Sequence, residues 1–239
     1  MLAQALQRVT DRLGAAASDA QRAVPRLLAV SKLHPASAVA ELAACGQRAF
    51  GENYVQEALA KQAELRSLNV DVALEWHLIG HLQSNKARAA AVAFDWVQTV
   101  DRAKLVGALA QHRPDARAPL NVLIQVNIAD EASKHGCTPQ AIDGLVDAIA
   151  AQPQLLLRGL MAIPAPHPDP ALRRAAFARM RELFEALRVR AARVDTLSMG
   201  MSDDIELAIA EGATMVRVGT ALFGTRSRDS GLGIRGSQA

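Results

Sequence analysis

Two turns and two cations carry the chemistry that can be read from this chain. The first turn lies in Ser198-Met199-Gly200-Met201-Ser202-Asp203-Asp204 and the second in Val216-Arg217-Val218-Gly219-Thr220. Each reads as a strand end, a glycine and a helix start. Gly200 permits a tight backbone turn, and Ser202 is placed to cap the following helix by accepting from its free N–H groups. Glycine turns and helix N-termini both direct N–H groups at an anion, so the two turns together are expected to cradle a phosphate. Arg217 sits on the strand between them, on the face shared by Met215 and Gly219, and an inward charge needs a partner. Lys32 ends the run Leu27-Leu28-Ala29-Val30-Ser31-Lys32, where apolar walls favour a neutral amine able to condense with a carbonyl. A phosphorylated ligand with a carbonyl or a ring suits this set. Plainer readings stand beside it: Lys32 snorkelling to water, and Arg217 in a salt bridge inside the fold with Glu52.

The elements that must position these residues alternate along the chain. Short β-rich runs at 26–31, 49–51, 75–79, 96–99, 121–127, 156–162, 196–199 and 214–218 are separated by Ala-rich stretches with helical spacing at 36–45, 55–66, 84–93, 102–111, 140–150, 170–190 and 202–211. Ile142, Leu145, Val146 and Ile149 illustrate that spacing. Eight strands alternating with helices predict an α/β fold, a single (β/α)8 TIM-like barrel with an extra N-terminal helix. A doubly wound open sheet would usually show GxGxxG after its first strand, and none is present. Residues 1–226 are expected to form one domain and 227–239, rich in Gly, Ser and Arg, a flexible tail. In such a barrel the working residues sit at the C-terminal ends of the strands, with phosphate on the loops after the seventh and eighth. Those are the two turns named above.

Composition excludes other classes. The 239 residues carry a formal charge of +3 with the basic residues scattered, so nucleic acid is not expected as a partner. No apolar run reaches the ~18 residues of a membrane span, and the N-terminus reads as an amphipathic helix. Cys45 and Cys137 stand apart with no CxxC spacing, which suits a reducing cytoplasm and not structural zinc.

Pyridoxal 5'-phosphate (PLP) fits the chemical set: an aldehyde for Lys32, a phosphate for the turns, a pyridine nitrogen for Arg217. The sequence also resembles the pyridoxal phosphate homeostasis protein family, which is similar to the barrel of alanine racemase. The resemblance rests on Ala29-Val30-Ser31-Lys32, Phe50-Gly51-Glu52-Asn53-Tyr54-Val55-Gln56-Glu57, the run from Trp76 to Lys86, Gly159-Leu160-Met161, and the segments 198–204 and 216–224. It implies a (β/α)8 barrel in which Lys32 holds the cofactor as an internal aldimine and Asn53 lies beside it. It further implies that Ser202, Gly219 and Thr220 hold the phosphate and that Arg217 faces the ring nitrogen. His34 and His81 depart from what that family leads one to expect and bear on the shape of the entrance.

Other candidates are weaker. His77 and His81 are four apart but straddle a strand end and a loop, so a hydrogen-bonded barrel residue is the better reading of His77 than a metal ligand. Residues 83–86 read as a helix start with Ser84 as cap, and Lys134 as either a second amine near the mouth or a solvated loop residue. The functional expectation is a PLP-binding protein serving vitamin B6 and amino/keto-acid homeostasis without efficient turnover. Its expected partners are PLP and PLP-dependent apo-enzymes, and it is expected to be a cytoplasmic monomer. Two-base racemisation, as the resemblance frames it, takes a tyrosine from a second domain. This chain ends soon after its eighth strand, and its single tyrosine is Tyr54. The alternatives are a PLP-dependent racemase or lyase of low activity, and an aldolase-like barrel in which Lys32 takes a phosphosugar carbonyl.

Overall fold

The computed structural model describes residues 1–70, 72–128, 135–164 and 168–224. Lys134 and the segment 227–239 lie outside them. Eight strands, β1 (Arg26–Val30), β2 (Ala49–Glu52), β3 (Glu75–Leu78), β4 (Trp96–Val100), β5 (Leu120–Gln125), β6 (Leu155–Met161), β7 (Thr196–Ser198) and β8 (Met215–Val218), pair in sequence order into a closed barrel. All pairs are parallel, and β8 closes on β1 from Arg26↔Met215 to Ala29↔Val218. Helices α2 (Ala36–Ala44), α3 (Val55–Ser67), α4 (Ala87–Ala93), α5 (Ala103–His112), α6 (Ile142–Ala150), α7 (Pro170–Arg190) and α8 (Ile205–Ala210) follow the first seven strands in turn. The extra helix α1 (Leu2–Asp19) buries Leu6, Val9, Leu13 and Ala17 at helical spacing and packs against α2, α8 and the short α9 (Thr220–Phe223).

Alternation along each strand sorts residues into two layers. Leu28, Val30, Ala49, Ile79 and Met215 cluster inside the barrel, and Trp96, Leu123 and Met161 form a second inner group. The opposite faces, including Ala29, Phe50, Leu78, Val97 and Val216, join the larger core shared with the helices. At Gly159 (φ +146) a Cβ would lie 1.9 Å from the Thr196 carbonyl oxygen, so only glycine lets β6 approach β7 there.

The same alternation decides where Glu52 goes. A Cβ on Gly51 would meet Leu28 and Ile79, so Gly51 faces inward and Glu52 faces out toward α3. The plainer reading of Arg217, a salt bridge with Glu52, is therefore not realised. Glu52, fully buried, accepts instead from Lys61 Nζ at 2.5 Å and from Ser31 Oγ at 2.6 Å. Lys61, 5% exposed, also donates to the Ser31 carbonyl oxygen at 2.7 Å and to Glu57 at 3.2 Å. Glu57 in turn accepts from the N–H of Leu33, a residue in the left-handed region at φ +63. Thus the backbone on both sides of Lys32 is tied to one buried charge cluster on α3. Burial pushes the Glu52 carboxyl upward against the pull of Lys61, and its Oε2 is buried without a partner.

A buried ion pair that loses one member leaves an uncompensated charge, at a cost of about 3–5 kcal/mol, whereas replacing both is often near neutral. Lys61→Met should lower unfolding stability in urea by roughly that amount, and Glu52→Gln/Lys61→Met should recover most of it. A single variant as stable as the parent would mean that the cluster does not hold the Lys32 segment.

Candidate functional site

A cavity of about 260 Å3 opens at the C-terminal ends of the strands. Lys32, Asn53, Ser202, Arg217, Gly219 and Thr220 all line it, so the structure brings together every site residue the sequence singled out. Val30 and Ile79 supply an apolar floor, and Ile163 and Met201 add apolar groups from the segments after β6 and β7. Lys32 lies two residues beyond Val30, on the inward phase of β1, and is half-buried. It reaches the cavity because the chain turns there: His34 N–H donates to the Ser31 carbonyl at 3.1 Å.

On the opposite wall the two turns are built differently. Gly200 adopts φ +91, and a Cβ there would sit 2.5 Å from that of Ala208, so the tight turn is genuine. Ser202 does not cap the next helix, contrary to expectation. That helix begins at Ile205 with Asp204 as N-cap residue, and Asp204 Oδ1 accepts from Met201 N–H at 2.6 Å. The carboxylate thus reaches back across the turn, and Ser202 lines the cavity instead. Its carbonyl is held from outside by Arg12 Nη1 at 2.7 Å. The second turn places Gly219 at the N-cap of α9 with Thr220 as first helical residue. The first N–H groups of such a turn have no partner within it.

Arg217 is 4% exposed. Its Nη1 donates to Ser198 Oγ at 2.8 Å and its Nη2 to the Ala162 carbonyl at 2.8 Å. A guanidinium carries five N–H donors, and these described bonds use two. Burial lowers its pKa to about 10, with Asp204 opposing, so it remains a cation at neutral pH. An amine, a guanidinium and two hydroxyls facing one pocket between glycine turns make a donor set for an anionic ligand that also carries a carbonyl and a ring acceptor.

Neighbouring residues set the rim. Gly80 lies so close to β2 that a Cβ would fall 2.2 Å from the Asn53 carbonyl oxygen, which fixes where Asn53 stands. His34 stacks on Phe223 with ring centroids 4.5 Å apart. His81 stacks on His135 at 3.9 Å and does not converge with His77. His77 is fully buried, with Nε2 2.5 Å from Glu75 Oε1 and Nδ1 2.9 Å from Gln98 Nε2, so both ring nitrogens are taken within the barrel. Among the described residues no group of three or more His, Cys, Asp or Glu gathers in a metal-binding arrangement. Residues 84–86 form a 3-10 turn leading into α4. Ser84 makes no side-chain cap there and accepts from Arg102 at 3.3 Å. The sequence reading missed Lys61, Gln98 and Ser198. Only the four-residue spacing of Glu57 and Lys61, which puts them on one helix face, hinted at the first.

The geometry has counterparts in known proteins. The family model for the alanine racemase N-terminal domain matches residues 4–227. A pyridoxal phosphate homeostasis protein of Pseudomonas aeruginosa is 53% identical over 227 residues, which are 94% of this chain and 96% of that protein. The structure of PipY from Synechococcus elongatus PCC7942 with PLP bound is 40% identical with a TM-score of 0.81, covering 94% of this chain and 100% of that one. Alanine racemase from Corynebacterium glutamicum has a TM-score of 0.68 at 20% identity over 94% of this chain and 62% of its own, a likeness of fold alone. Matched along nearly its whole length, the chain belongs to the alanine racemase N-terminal domain family and, within it, to the pyridoxal phosphate homeostasis proteins.

Proposed function

We propose that this protein binds PLP covalently through Lys32 and serves its homeostasis, and with it that of amino and keto acids, without efficient turnover. The observation that carries the reading is the convergence of Lys32, Arg217 and the turns at Ser202 and Gly219-Thr220 on one cavity. Lys32 would hold the cofactor's aldehyde carbon through its amine, and Ser202 and Thr220 would donate hydroxyls to the phosphate alongside the N–H groups of their turns. Asn53 would stand beside the ring, and Arg217 would donate to its nitrogen. When bound, the cofactor supplies an electron sink for carbanion chemistry, and the protein's residues set how strong that sink is.

Two features weaken it here. Arg217 is a cation at neutral pH, so a ring nitrogen that accepts from it is disfavoured from taking a proton. The single tyrosine, Tyr54, is 61% exposed and lines a neighbouring pocket with Gln83 and Lys86 instead of the cavity of Lys32. A second base for the opposite face of a substrate carbon is thus not supplied by tyrosine. The partners that fit are PLP-dependent apo-enzymes receiving the cofactor from a monomeric carrier. A cytoplasmic setting agrees with the exposed free thiol of Cys45, and no helix among the described residues is long and apolar enough to cross a membrane.

Borohydride reduction of the PLP-loaded protein followed by peptide mapping should place the pyridoxyl group on Lys32; recovery mainly on Lys86 or Lys134 would refute the assignment. Ser202→Ala/Thr220→Ala removes two donors to a charged acceptor, each worth about 1.5–3 kcal/mol, so PLP affinity should fall at least about a hundredfold while the fold persists. Unchanged affinity would put the phosphate elsewhere or on backbone N–H groups alone. General acid–base groups typically contribute about 10²–10⁴-fold. In deuterated water the loaded protein should therefore exchange amino-acid Cα protons slowly with chirality retained, and racemisation at ordinary enzymatic rates would overturn the carrier reading.

A further inference from the structure

A single file of hydrogen bonds crosses the barrel interior and ends on Arg217. At the cavity end, Arg217 Nη1 donates to Ser198 Oγ at 2.8 Å. The hydroxyl proton of Ser198 then goes to Gln98 Oε1 at 2.7 Å. With its oxygen facing Ser198, Gln98 turns its Nε2 toward His77 Nδ1 at 2.9 Å, which must accept. The His77 proton therefore sits on Nε2 and is donated to Glu75 Oε1 at 2.5 Å. Arg26 Nη2 donates to the same carboxylate oxygen at 2.8 Å, with 51% of the Arg26 side chain exposed. Glu75 is the first residue of β3 and Arg26 the first of β1, so this end lies at the mouth opposite the cavity.

Every donor in the file points away from Arg217 and toward Glu75. The aligned dipoles join a cation at one end to an anion at the other, an arrangement in which each bond strengthens the next. Reversing one link sets two donors or two acceptors face to face. A proton moved to His77 Nδ1 would oppose the Gln98 amide. A flipped amide would in turn leave the Ser198 hydroxyl only Arg217 to face. His77 is held in plane by stacking on Trp96 with centroids 5.1 Å apart, and Gln98 is fully buried, so neither has water as an alternative partner.

We propose that Glu75, His77, Gln98 and Ser198 form a one-directional relay that fixes, from the far mouth of the barrel, where Arg217 presents its remaining donors to the cofactor ring. This rests on the reading above that Arg217 faces the ring nitrogen. Gln98 and His77 are then positioning residues for a ligand they do not touch, and the Arg26–Glu75 pair is a remote point from which the ring's environment can be altered.

The test compares the full chain with Arg217→Met, Gln98→Met, Glu75→Gln and the Arg217→Met/Gln98→Met double variant. Gln98→Met keeps the side-chain length beside Met215 and removes the relay. For each, PLP affinity is measured by fluorescence titration, the bound cofactor's absorption band is followed against pH, and the melting temperature is taken without cofactor. Gln98→Met should weaken PLP binding about tenfold, the loss expected for one misplaced donor to a ring acceptor, and move the band in the same direction as Arg217→Met. Glu75→Gln should do the same to a smaller extent, and it keeps the test open if Gln98→Met fails to fold. The double variant should be no worse than Arg217→Met alone, since the relay acts only through that residue. If Arg217→Met itself leaves band and affinity unchanged, the ring-nitrogen assignment fails and the relay with it. If Arg217→Met changes both while Gln98→Met and Glu75→Gln match the parent, or if the effects add, the relay is overturned and the assignment stands.

Discussion

Burying a guanidinium inside a closed barrel is the constraint around which the rest of this structure is organised. Taken out of water, such a charge is tolerable only where fixed acceptors replace its hydration. The acceptors here come from two other strands: the Ser198 hydroxyl at the end of β7 and the Ala162 carbonyl just beyond β6. Both are neutral. They satisfy the inward N–H groups without cancelling the charge, and they leave the outward ones directed at the cavity. The barrel topology makes this possible, because β6, β7 and β8 are neighbours in register and present their C-terminal ends at one rim.

The period of two along a strand separates the buried cations Arg217 and Lys61. Arg217 and Lys32 are on inward phases and share the cavity; Glu52, one residue past the inward Gly51, looks outward and meets Lys61 on α3. Had Glu52 been inward it would have stood as a counter-ion beside Arg217 and shut the cavity's charge down. Placed outward, it anchors the strand end from which Lys32 projects, through the Ser31 hydroxyl and through Lys61 on the Ser31 carbonyl. The Lys32 amine is thus carried by a segment whose backbone is tied to the helix layer, while its side chain lines the cavity.

Much of this was legible in the sequence because strand and helix patterns alternate without interruption. Each predicted strand lies within a residue or two of the observed one, since short apolar runs bounded by Gly, Pro and polar turns leave little latitude. Lys32, Arg217 and the two turns followed from the rule that working residues sit at strand C-termini, and Asn53 from the family resemblance. Local pairings were harder to read. Ser202 looked like a cap because it precedes an apolar helical run, but Asp204 stands nearer the helix and its carboxylate takes the turn's N–H. Glu52 looked like a partner for Arg217 because charge complementarity is visible in a sequence and strand phase at a glycine is not. Gln98 gave no signal at all, and Ser198, though it opens the first turn's motif, gave none of its bond to Arg217. A lone polar residue in an apolar strand reads as noise until the strands are closed and His77, Gln98, Ser198 and Arg217 prove to be on one face.

Fold likeness to a racemase does not fix the chemistry, because chemistry belongs to the site. What the site here does is keep a positive charge at the cavity with only neutral groups, the Ser198 hydroxyl and the Ala162 carbonyl, bonded to it, while Asp204 is the carboxylate that acts on it. An ion pair in direct contact would have little field left for a third group. A guanidinium held by neutral dipoles keeps more of it. The Glu75 carboxyl, at the far end of the hydrogen-bonded file, is paired directly with Arg26. Burial alone would raise it, yet the donors from His77 and Arg26 bring it down to about 2, so it remains an anion wherever the protein is folded near neutrality. A ring nitrogen meeting such a guanidinium would meet a donor that stays protonated near neutrality. On the proposed reading, such a donor would grip the ring without activating it, which suits holding the cofactor more than spending it on catalysis.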